Sequence, residues 1–421
     1  MSAWSSLKIK DLGRVVTGKT PPTEVKEFFE GDELFVSPKD LDWNQYYVHE
    51  TETRVSEKAF SKFKNQVLPA KSVMFTCISF AFGKMGITSR PSLTNQQVNS
   101  IVVNDNHDFR FVFYLLKAYK PFIFSYNSGI DTPIVPKSVF EGIGVLCPPK
   151  PIQQKIAAIL SAYDDLIANN QRRITLLERM AEDIYREWFV RLRFPGHENT
   201  TIEKGVPKDW GFVKTDKAFK FYGGATPARD TPRFWQSGDV NWFTPTDITG
   251  ADGMFLEASS EQCTDEGLRN CSSTLFPPYS VMMTSRATIG AIGINLTPAC
   301  TNQGFITCIP NDAYPLAYLY HWIKLGKPHF ESLSGGSTFA ELTKGTFKRM
   351  EILTPPQALV QQFQQLVAPL FKSMETHLKA NASLKSTRDV LLPRLISGKL
   401  SVDALDIRFP QGMTRGLESN S

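Results

Sequence analysis

The two halves of this chain carry the same short motifs in the same order, and such an internal repeat constrains the fold before any local pattern is considered. Leu146-Cys147-Pro148-Pro149 returns as Leu353-Thr354-Pro355-Pro356, at an offset of 207 residues. The same offset relates Thr94-Asn95-Gln96 to Thr301-Asn302-Gln303, Lys137 to Lys344, Phe140 to Phe347, Gly31-Asp32 to Gly238-Asp239, Pro38 to Pro245 and Asp40 to Asp247. With a slip of one residue, Gly18, Thr20 and Pro21 correspond to Gly224, Thr226 and Pro227. The repeat predicts two homologous halves.

Length and composition are typical of a globular protein. The chain has 421 residues, 42% of them apolar and 21% charged, so two to four domains with their own cores are expected. No apolar run is long enough to span a membrane, and the first residues lack the apolar stretch of a secretory signal. Six widely spaced cysteines do not form a disulfide pattern, so we expect a cytoplasmic protein. The net charge of +5 is compatible with an anionic partner but does not establish one.

Each half begins with a part that is rich in predicted strands. Short β-branched and aromatic runs separated by turn residues occupy residues 72–82, 98–103 and 281–293. Apolar clusters at residues 111–119 and 318–325 are more typical of short helices. These patterns predict a mixed α/β domain in each half.

The second part of each half has the apolar spacing of three and four residues that is typical of coiled-coil helices. The first predicted seam consists of Ile156, Leu160, Tyr163, Ile167, Asn170, Ile174, Leu177, Ala181, Ile184 and Trp188. The second consists of Phe363, Val367, Leu370, Met374, His377, Asn381, Leu384, Arg388, Leu391 and Leu395. Polar residues interrupt the second seam, and we interpret Asn170 of the first as a residue that sets the register.

A proline breaks or kinks a helix, so Pro369 predicts a short helix, a bend and then a long helix in each half. Ser161 precedes the equivalent position in the first half and is a plausible N-cap. The long helix of the first half, residues 162–190, would span roughly 43 Å. The predicted fold class is α+β: two homologous mixed α/β domains joined by two long helices that form an antiparallel coiled coil with pseudo-two-fold symmetry. The alternative is an ordinary helical linker with unrelated packing.

Two similar domains on a spacer suit duplex DNA, which repeats about every 34–36 Å and is read in half-sites by dimeric proteins. Arg and Lys side chains suit guanine edges and phosphates, whereas Asn, Ser and Thr suit adenine edges or the backbone. The first domain offers Lys19, Lys39, Lys84, Arg90, Asn127, Ser128 and Lys137, and the second offers Arg229, Arg233, Thr246, Arg286, Thr288, Ser337 and Lys344. Basic loops are also compatible with an ordinary solvated surface, so these residues are candidates for DNA binding.

The chain resembles the specificity subunit of type I restriction–modification enzymes over nearly its full length. The resemblance rests on Gly-x-Thr-Pro near the start of each domain and on short motifs at the helices. These motifs are Gly18 to Pro21 and Gly224 to Pro227, Pro148-Pro149 followed by Gln153-Gln154, Glu187-Trp188-Phe189-Val190, and Leu391-Leu392-Pro393-Arg394-Leu395-Ile396-Ser397-Gly398-Lys399-Leu400. The polar second seam is a departure from the family pattern.

The resemblance implies a bacterial or archaeal protein with two target-recognition domains, at residues 1–150 and 194–357. Helical spacers at 151–193 and 358–400 would act as a ruler across an unread stretch of double-stranded DNA, and 401–421 would form a tail. The same helices would dock two modification (methyltransferase) subunits that use S-adenosylmethionine to methylate adenine at N6. Restriction and translocation subunits that use ATP and Mg²⁺ complete such a complex. The specificity subunit is itself non-catalytic, binds no cofactor or metal, and contacts no membrane.

Apparent enzyme motifs do not support catalysis by this chain. Gly13 to Thr20 matches the P-loop pattern, but Pro21-Pro22 follows where a helix is needed. Phe276-Pro277-Pro278-Tyr279 is similar to an adenine methyltransferase motif, but Phe276 cannot accept a hydrogen bond from an adenine amino group. A self-sufficient methyltransferase is therefore disfavoured.

Two further patterns leave alternatives open. Cys263, Cys271, Cys300 and Cys308 could supply four metal thiolates, but their spacing favours core cysteines. Thr94-Asn95-Gln96 and its copy precede a strand in both halves, which favours a structural turn over a DNA contact. An alternative function also remains: a duplicated coiled-coil scaffold that binds protein partners and contacts DNA only non-specifically.

Overall fold

The computed structural model describes residues 4–43, 46–78, 81–129, 132–335 and 340–410. The chain forms two compact units. The first unit consists of Met1–Ala168 with Ala382–Ser421, and the second consists of Asn169–Asn381. Within the described ranges, no helix is both long and apolar enough to cross a membrane.

The strands and helices have the following bounds. The strands are β1 (Ser5–Lys8), β2 (Gly13–Thr17), β3 (Glu33–Val36), β4 (Tyr47–Val48), β5 (Thr53–Val55), β6 (Val73–Thr76), β7 (Met85–Thr88), β8 (Ser92–Thr94), β9 (Val98–Val103), β10 (Gly144–Cys147), β11 (Ile202–Glu203), β12 (Val206–Pro207), β13 (Gly211–Lys214), β14 (Phe221–Gly223), β15 (Val240–Phe243), β16 (Phe255–Leu256), β17 (Gln262–Cys263), β18 (Val281–Thr284), β19 (Ile292–Asn295), β20 (Ala299–Thr301), β21 (Phe305–Cys308) and β22 (Glu351–Thr354). The α-helices are α1 (Glu57–Lys62), α2 (Phe109–Phe124), α3 (Lys137–Gly142), α4 (Lys150–Tyr185), α5 (Thr215–Ala218), α6 (Pro245–Thr249), α7 (Asp265–Arg269), α8 (Leu316–Ser332), α9 (Lys344–Arg349) and α10 (Gln357–Ile396).

The two units share three sheets of the same topology, and the second unit has one additional pair, β11-β12. The first contains a five-stranded sheet in the order β2-β9-β6-β7-β4, a three-stranded sheet β5-β3-β8, and the pair β1-β10. The second contains β14-β21-β18-β19-β16, β17-β15-β20 and β13-β22 in the equivalent places. Even the parallel pairings correspond, since β3–β8 and β4–β7 match β15–β20 and β16–β19. The predicted duplication into two mixed α/β domains is therefore confirmed.

The core of each unit lies between the five-stranded sheet and helices. In the first unit, Phe75 of β6 packs in one buried cluster with side chains of α2 and with Ile156 of α4. In the second unit, Met283 of β18 packs with side chains of α8 and with Phe363 of α10. The predicted short helices are α2 and α8, and both extend further than their apolar clusters. Asp108 is the N-cap of α2. Its carboxylate accepts hydrogen bonds from the backbone nitrogens of Arg110 and Phe111.

The long helices bury the seams that the sequence predicts. Every residue of both predicted seams is buried or half-buried. In the first unit, Ile156 and Leu160 of α4 share a cluster with Leu395 of α10. In the second unit, Ile174 of α4 shares a cluster with Phe363 of α10. Within each unit, residues further along α4 pack against earlier residues of α10, so the two segments are antiparallel.

The predicted division of each helical part into a short and a long helix is wrong. α10 continues through Pro369, and α4 continues through Ser161 and Ala162. A proline in a helix removes one backbone hydrogen bond and crowds the preceding turn. Phe371 and Met374, which follow Pro369, are both buried, and their apolar burial offsets this cost. α4 is followed directly by a π-helix at Arg186–Val190.

The polar residues of the seams are paired rather than disruptive. In the second unit, Asn170 donates through Nδ2 to Oδ1 of Asn381 at 2.9 Å. In the first unit, the buried Arg388 donates to the carboxylate of Asp164. Because buried polar groups are tolerated when they are hydrogen-bonded, α4 and α10 stay packed at these positions.

Candidate nucleic-acid interface

Two motifs that lie far apart in the sequence meet in each unit. A Cβ atom on Gly18 would lie 2.1 Å from the backbone oxygen of Asn95, and one on Gly224 would lie 2.0 Å from that of Thr301. Such distances are too short for any side chain, so the approach of the two backbones requires glycine. The Gly-x-Thr-Pro motif thereby lies against the Thr-Asn-Gln motif in both units.

A hydrogen bond between side chains joins the two motifs in each unit. The hydroxyl of Thr20 lies 2.7 Å from Oε1 of Gln96, and the hydroxyl of Thr226 lies 2.7 Å from Oε1 of Gln303. Both glutamines are exposed. The same pair of side chains therefore occurs at the same distance in both units.

The asparagine of the Thr-Asn-Gln motif has a structural role in both units. Oδ1 of Asn95 accepts from the backbone nitrogen of Gln97 at 3.1 Å, and Oδ1 of Asn302 accepts from that of Gly304 at 2.9 Å. Thr94 and Thr301 are buried. The interpretation as a structural turn therefore fits the threonine and asparagine, whereas the glutamine faces outward.

An exposed tryptophan of the first unit lies under two lysines. Trp43 is 47% exposed, and the Nζ atoms of Lys84 and Lys120 lie 5.0 and 5.5 Å from its ring centroid. Lys84 also donates to the backbone oxygen of Pro38 at 3.2 Å. Partial burial lowers the pKa of Lys120. An aromatic face beside two cations is a surface on which a nucleic-acid base or sugar can lie.

Trp43 and Lys120 are not among the candidates predicted from the sequence, although the repeat contains a signal for the lysine. Lys120 and Lys327 are 207 residues apart, and each covers a hairpin glycine with positive φ. A Cβ atom on Gly83 would lie 2.5 Å from Cε of Lys120, and one on Gly290 would lie 2.7 Å from Cγ of Lys327. Each unit therefore carries a lysine on the hairpin of its five-stranded sheet.

The other predicted cations of the first unit lie on its surface beside acceptors or rings. Lys19 lies 5.7 Å from the ring centroid of Phe63. Ion pairs join Lys39 to Glu52 at 3.8 Å, Arg90 to Glu33 at 3.2 Å and Lys137 to Glu141 at 3.5 Å. Surface pairs of this kind contribute only about 0–1 kcal/mol, so exchanging the carboxylate for a DNA phosphate costs little.

Asn127 shapes a loop of the first unit. Its Oδ1 accepts from the backbone nitrogens of Gly129 at 3.0 Å and Ile134 at 2.7 Å. The neighbouring Ser128 is exposed. Asn127 therefore holds Gly129 and Ile134 close to itself, and Ser128 beside it is open to solvent.

In the second unit, Arg229 is held in one orientation. Its guanidinium donates to both carboxylate oxygens of Glu261, at 2.6 and 2.9 Å, and lies 4.0 and 4.6 Å from the rings of Trp235 and Trp242. The hydrogen bond with Glu261 raises the pKa of Arg229, and the same bond lowers the pKa of Glu261. This arginine is pre-ordered at the surface, but its planar donor edge is occupied by a carboxylate.

The remaining candidates of the second unit that the structure describes are exposed. Arg233 pairs with Glu266 at 3.1 Å, and Arg286 pairs with Glu341 at 2.8 Å. Thr246, in the first turn of α6, Thr288, in the loop between β18 and β19, and Lys344, at the start of α9, are also exposed. Ser337 lies outside the described residues.

The segments with apparent enzyme motifs have other structures. Gly13 to Thr17 form strand β2, which pairs with β9, and no helix follows directly after Gly18. Phe276 is buried and bridges Ala299, as Leu68 bridges Ser92 in the first unit, so both segments are turns. Neither segment has the loop-to-helix geometry that holds a phosphate.

The four cysteines of the second half do not come together. Cys263 and Cys300 are buried with their sulfurs 3.9 Å apart, whereas Cys308 belongs to a different cluster on β21. The described residues contain no group of three or more His, Cys, Asp or Glu side chains placed to hold a metal ion.

The chain is similar to known proteins over nearly its whole length. The family model described as the type I restriction modification DNA specificity domain matches it twice, at residues 1–179 and 207–384. The type I restriction enzyme MjaIX specificity subunit of Methanocaldococcus jannaschii is 27% identical over 416 residues, which cover 96% of this chain and 94% of that protein. The HindI specificity subunit of Haemophilus influenzae is 24% identical over 330 residues, which cover 63% and 71%. A crystal structure of the S subunit from M. genitalium has the same fold, with a TM-score of 0.58, 14% identity and coverage of 94% and 96%.

Proposed function

Because this chain belongs to the type I restriction–modification DNA specificity family, we propose that it is the subunit that selects the DNA target of a restriction–modification complex. Each unit reads one half of an interrupted, two-part sequence in double-stranded DNA. The observation that carries this proposal is one sheet topology and one Gly–Thr–Gln arrangement, repeated in two units whose surrounding surface side chains differ.

The differences between the units are of the kind that changes base preference. At one position of the repeated motif the first unit has Lys19 and the second has Ala225. Beside the hairpin glycine the first unit has Lys84, where the second has Ala291. Different donors on the same scaffold read different base edges, since each base pair presents its own donor and acceptor pattern in the major groove. Two diverged units therefore read two different half-sites.

We propose the basic and polar side chains named from the sequence as DNA contacts, with Trp43 and Lys120 in addition. Residues 1–150 and 194–357 would be the target-recognition domains, 151–193 and 358–400 the helical spacers, and 401–421 a tail. α4 has 36 residues and α10 has 40, which correspond to about 54 and 60 Å of helix. Helices of this length act as the ruler that sets the unread spacer.

The helices also carry apolar side chains suited to partner subunits. Leu166, Leu176 and Met180 of α4 are each more than half exposed, as is Val390 of α10. Exposed apolar side chains on a helix are typical of protein–protein contacts. They would dock two modification subunits, which bring S-adenosylmethionine, and restriction subunits, which bring ATP and Mg²⁺. This chain itself would be non-catalytic and act in the cytoplasm, where such complexes meet DNA.

The experiment that tests this function is genome-wide mapping of N6-methyladenine. Cells would express this chain with its modification subunit and be compared with cells that lack only this chain. An interrupted two-part motif that is methylated only when the chain is present would support the proposal. No new motif despite a formed complex would favour a protein scaffold with non-specific DNA contact. Methyl transfer by the purified chain alone would contradict a non-catalytic role.

A further inference from the structure

We propose that Gln96 and Gln303 donate equivalent hydrogen bonds to the DNA sugar–phosphate backbone, one in each half-site. This inference rests on the proposed function and adds the part of the DNA that both units contact in the same way. The first observation is the arrangement itself: a threonine hydroxyl lies 2.7 Å from the glutamine Oε1 in both units.

The threonine leaves the amide nitrogen as the group that each glutamine presents. A glutamine amide has one acceptor oxygen and an NH₂ group with two donors. The hydroxyls of Thr20 and Thr226 each donate to the amide oxygen, so the oxygen faces the threonine and the NH₂ group does not. Within the part of the chain that the structure describes, we find no protein acceptor at either amide nitrogen, and both glutamines are exposed. A pair of donors that faces outward suits a phosphate oxygen.

The backbone around each glutamine is held by hydrogen bonds. Gly18 donates from its backbone nitrogen to Val98 at 3.1 Å, and Ala225 donates to Thr301 at 3.0 Å. The asparagine before each glutamine is fixed by its own side-chain bond to the following turn. A long side chain loses conformational entropy when it binds, so a side chain already held by its neighbours binds at lower cost. The threonine–glutamine pair is thus pre-ordered for contact.

Folding does not require this pair. A hydrogen bond between neutral side chains contributes only about 0.5–1.5 kcal/mol, and less at an exposed position where water competes. The same pair nevertheless occupies the same place in two units that differ around it. The neighbouring Lys19 is replaced by Ala225, so the repeated element is the amide and not the positive charge.

The repetition points to the DNA backbone as the target. A DNA contact that is common to two units reading different half-sites must rest on what the half-sites have in common, and the sugar–phosphate backbone is common to both. Phosphate contacts fix the register of a protein on DNA and carry no sequence information. A glutamine that read a base would instead require the same base at the same place in both half-sites.

The test uses the complex of this chain with its modification subunits and a duplex that contains the methylated target. Gln96→Ala and Gln303→Ala should each weaken binding about tenfold, as expected for a lost hydrogen bond to a charged group. The methylated motif should stay unchanged. Thr20→Val and Thr226→Val should weaken binding two- to threefold, because they remove only the hydrogen bond that orients the glutamine side chain. Asn199→Ala, at an exposed amide side chain outside the long helices and outside the candidate DNA contacts, is the matched control and should leave binding unchanged.

A neutral methylphosphonate at single positions of the duplex identifies the contact. One position in each half-site should weaken wild-type binding but leave the corresponding glutamine variant unaffected. Unchanged binding of both glutamine variants, or a changed base preference at one position, would overturn the backbone contact while the wild-type motif still supports the proposed function. A wild-type complex without sequence preference would overturn both. Thermal unfolding of each variant separates lost contact from lost folding.

Discussion

Arg388 of α10 donates to the carboxylate of Asp164 of α4, and each side chain is at least 95% buried. The hydroxyl of Tyr114 donates to the same carboxylate. Burial tends to lower the pKa of Arg388, but the charges of Asp164 and Asp389 outweigh it and raise that pKa. The equivalent positions of the second unit, 207 residues away, hold the buried Ala181 and Phe371. One contact of the repeat is therefore ionic in the first unit and apolar in the second.

Removing one partner of this ion pair should destabilise the first unit strongly. Arg388→Ala or Asp164→Ala should each cost about 3–5 kcal/mol, because a buried charge loses the opposite charge that is buried beside it. The combination of Arg388→Ala with Asp164→Phe reproduces the side chains of the second unit and should cost less than Arg388→Ala alone. Hydrogen exchange of α2 amides in the full chain measures the unfolding free energy of this unit. Strictly additive costs of the two alanine variants would show that the pair is not coupled.

The second unit should lose stability in mild acid because of His321. Burial lowers the pKa of His321 to about 4, and no part of the residue is exposed. The unfolded chain binds a proton near pH 6.5 and the folded unit does not, so stability is full above pH 6.5 and falls as the pH drops towards 4, by roughly 3 kcal/mol in all. Hydrogen exchange of α8 amides between pH 7.5 and pH 5 measures the change. His321→Phe should reduce this dependence, whereas the exposed His329→Gln should not.

The unread spacer of the target should follow the length of the helices. A heptad inserted after Ala168 in α4, together with one after Asn381 in α10, keeps each unit whole and its seam in phase. Seven residues add about 10 Å, so the methylated motif should gain about three base pairs of spacer with both half-sites unchanged. Methylation mapping gives the answer. A heptad in α4 alone should prevent a functional complex, and an unchanged spacer in the double insertion would contradict the ruler.

Close backbone approach should make Gly18 intolerant of any side chain. Gly18→Ala places a methyl group 2.1 Å from a backbone oxygen, so it should destabilise the first unit by about 1–3 kcal/mol. The matched control is Gly142→Ala in α3, where nothing lies within 4 Å of the added atom. That variant should be neutral or slightly stabilising, because alanine favours helix. Urea unfolding of the full chain compares the two, and equal midpoints would argue against the close approach.

Arg286 should contribute to one half-site only. Its partner Glu341 is a surface carboxylate at 2.8 Å, which a phosphate or base can replace at little cost. Arg286→Ala should weaken reading of one half-site by about five- to a hundredfold, as for a lost base contact of 1–3 kcal/mol. Lys84→Ala in the first unit should affect the other half-site. Binding to duplexes in which one half-site is altered shows which half-site each variant affects. An equal loss of affinity for all sequences would indicate misfolding or a phosphate contact.

The sequence alone determined the repeat and the two seams, whereas the DNA contacts named from it stay predictions. The offset of 207 residues is visible in the sequence itself. The spacing of three and four residues is visible there too, because a helix that buries one face needs apolar residues at that spacing. For this reason Ile156, Phe363 and the other seam residues lie where the sequence predicts. The sequence identified the glutamine of the Thr-Asn-Gln motif as part of a repeat, but it did not predict that this side chain faces outward.

Only the tertiary structure decided which polar groups are paired. Arg388 and Asp164 are 224 residues apart, and the residues around each give no indication that the two form an ion pair. The helix continues through Pro369 because distant apolar side chains bury the turn around it, which outweighs a local breaking preference. Lys84 of the hairpin before β7 and Lys120 of α2 lie over Trp43 only because folding brings these segments together. Short-range interactions can be read from neighbouring residues, whereas ion pairs and ring contacts depend on which distant residues folding brings within a few ångströms.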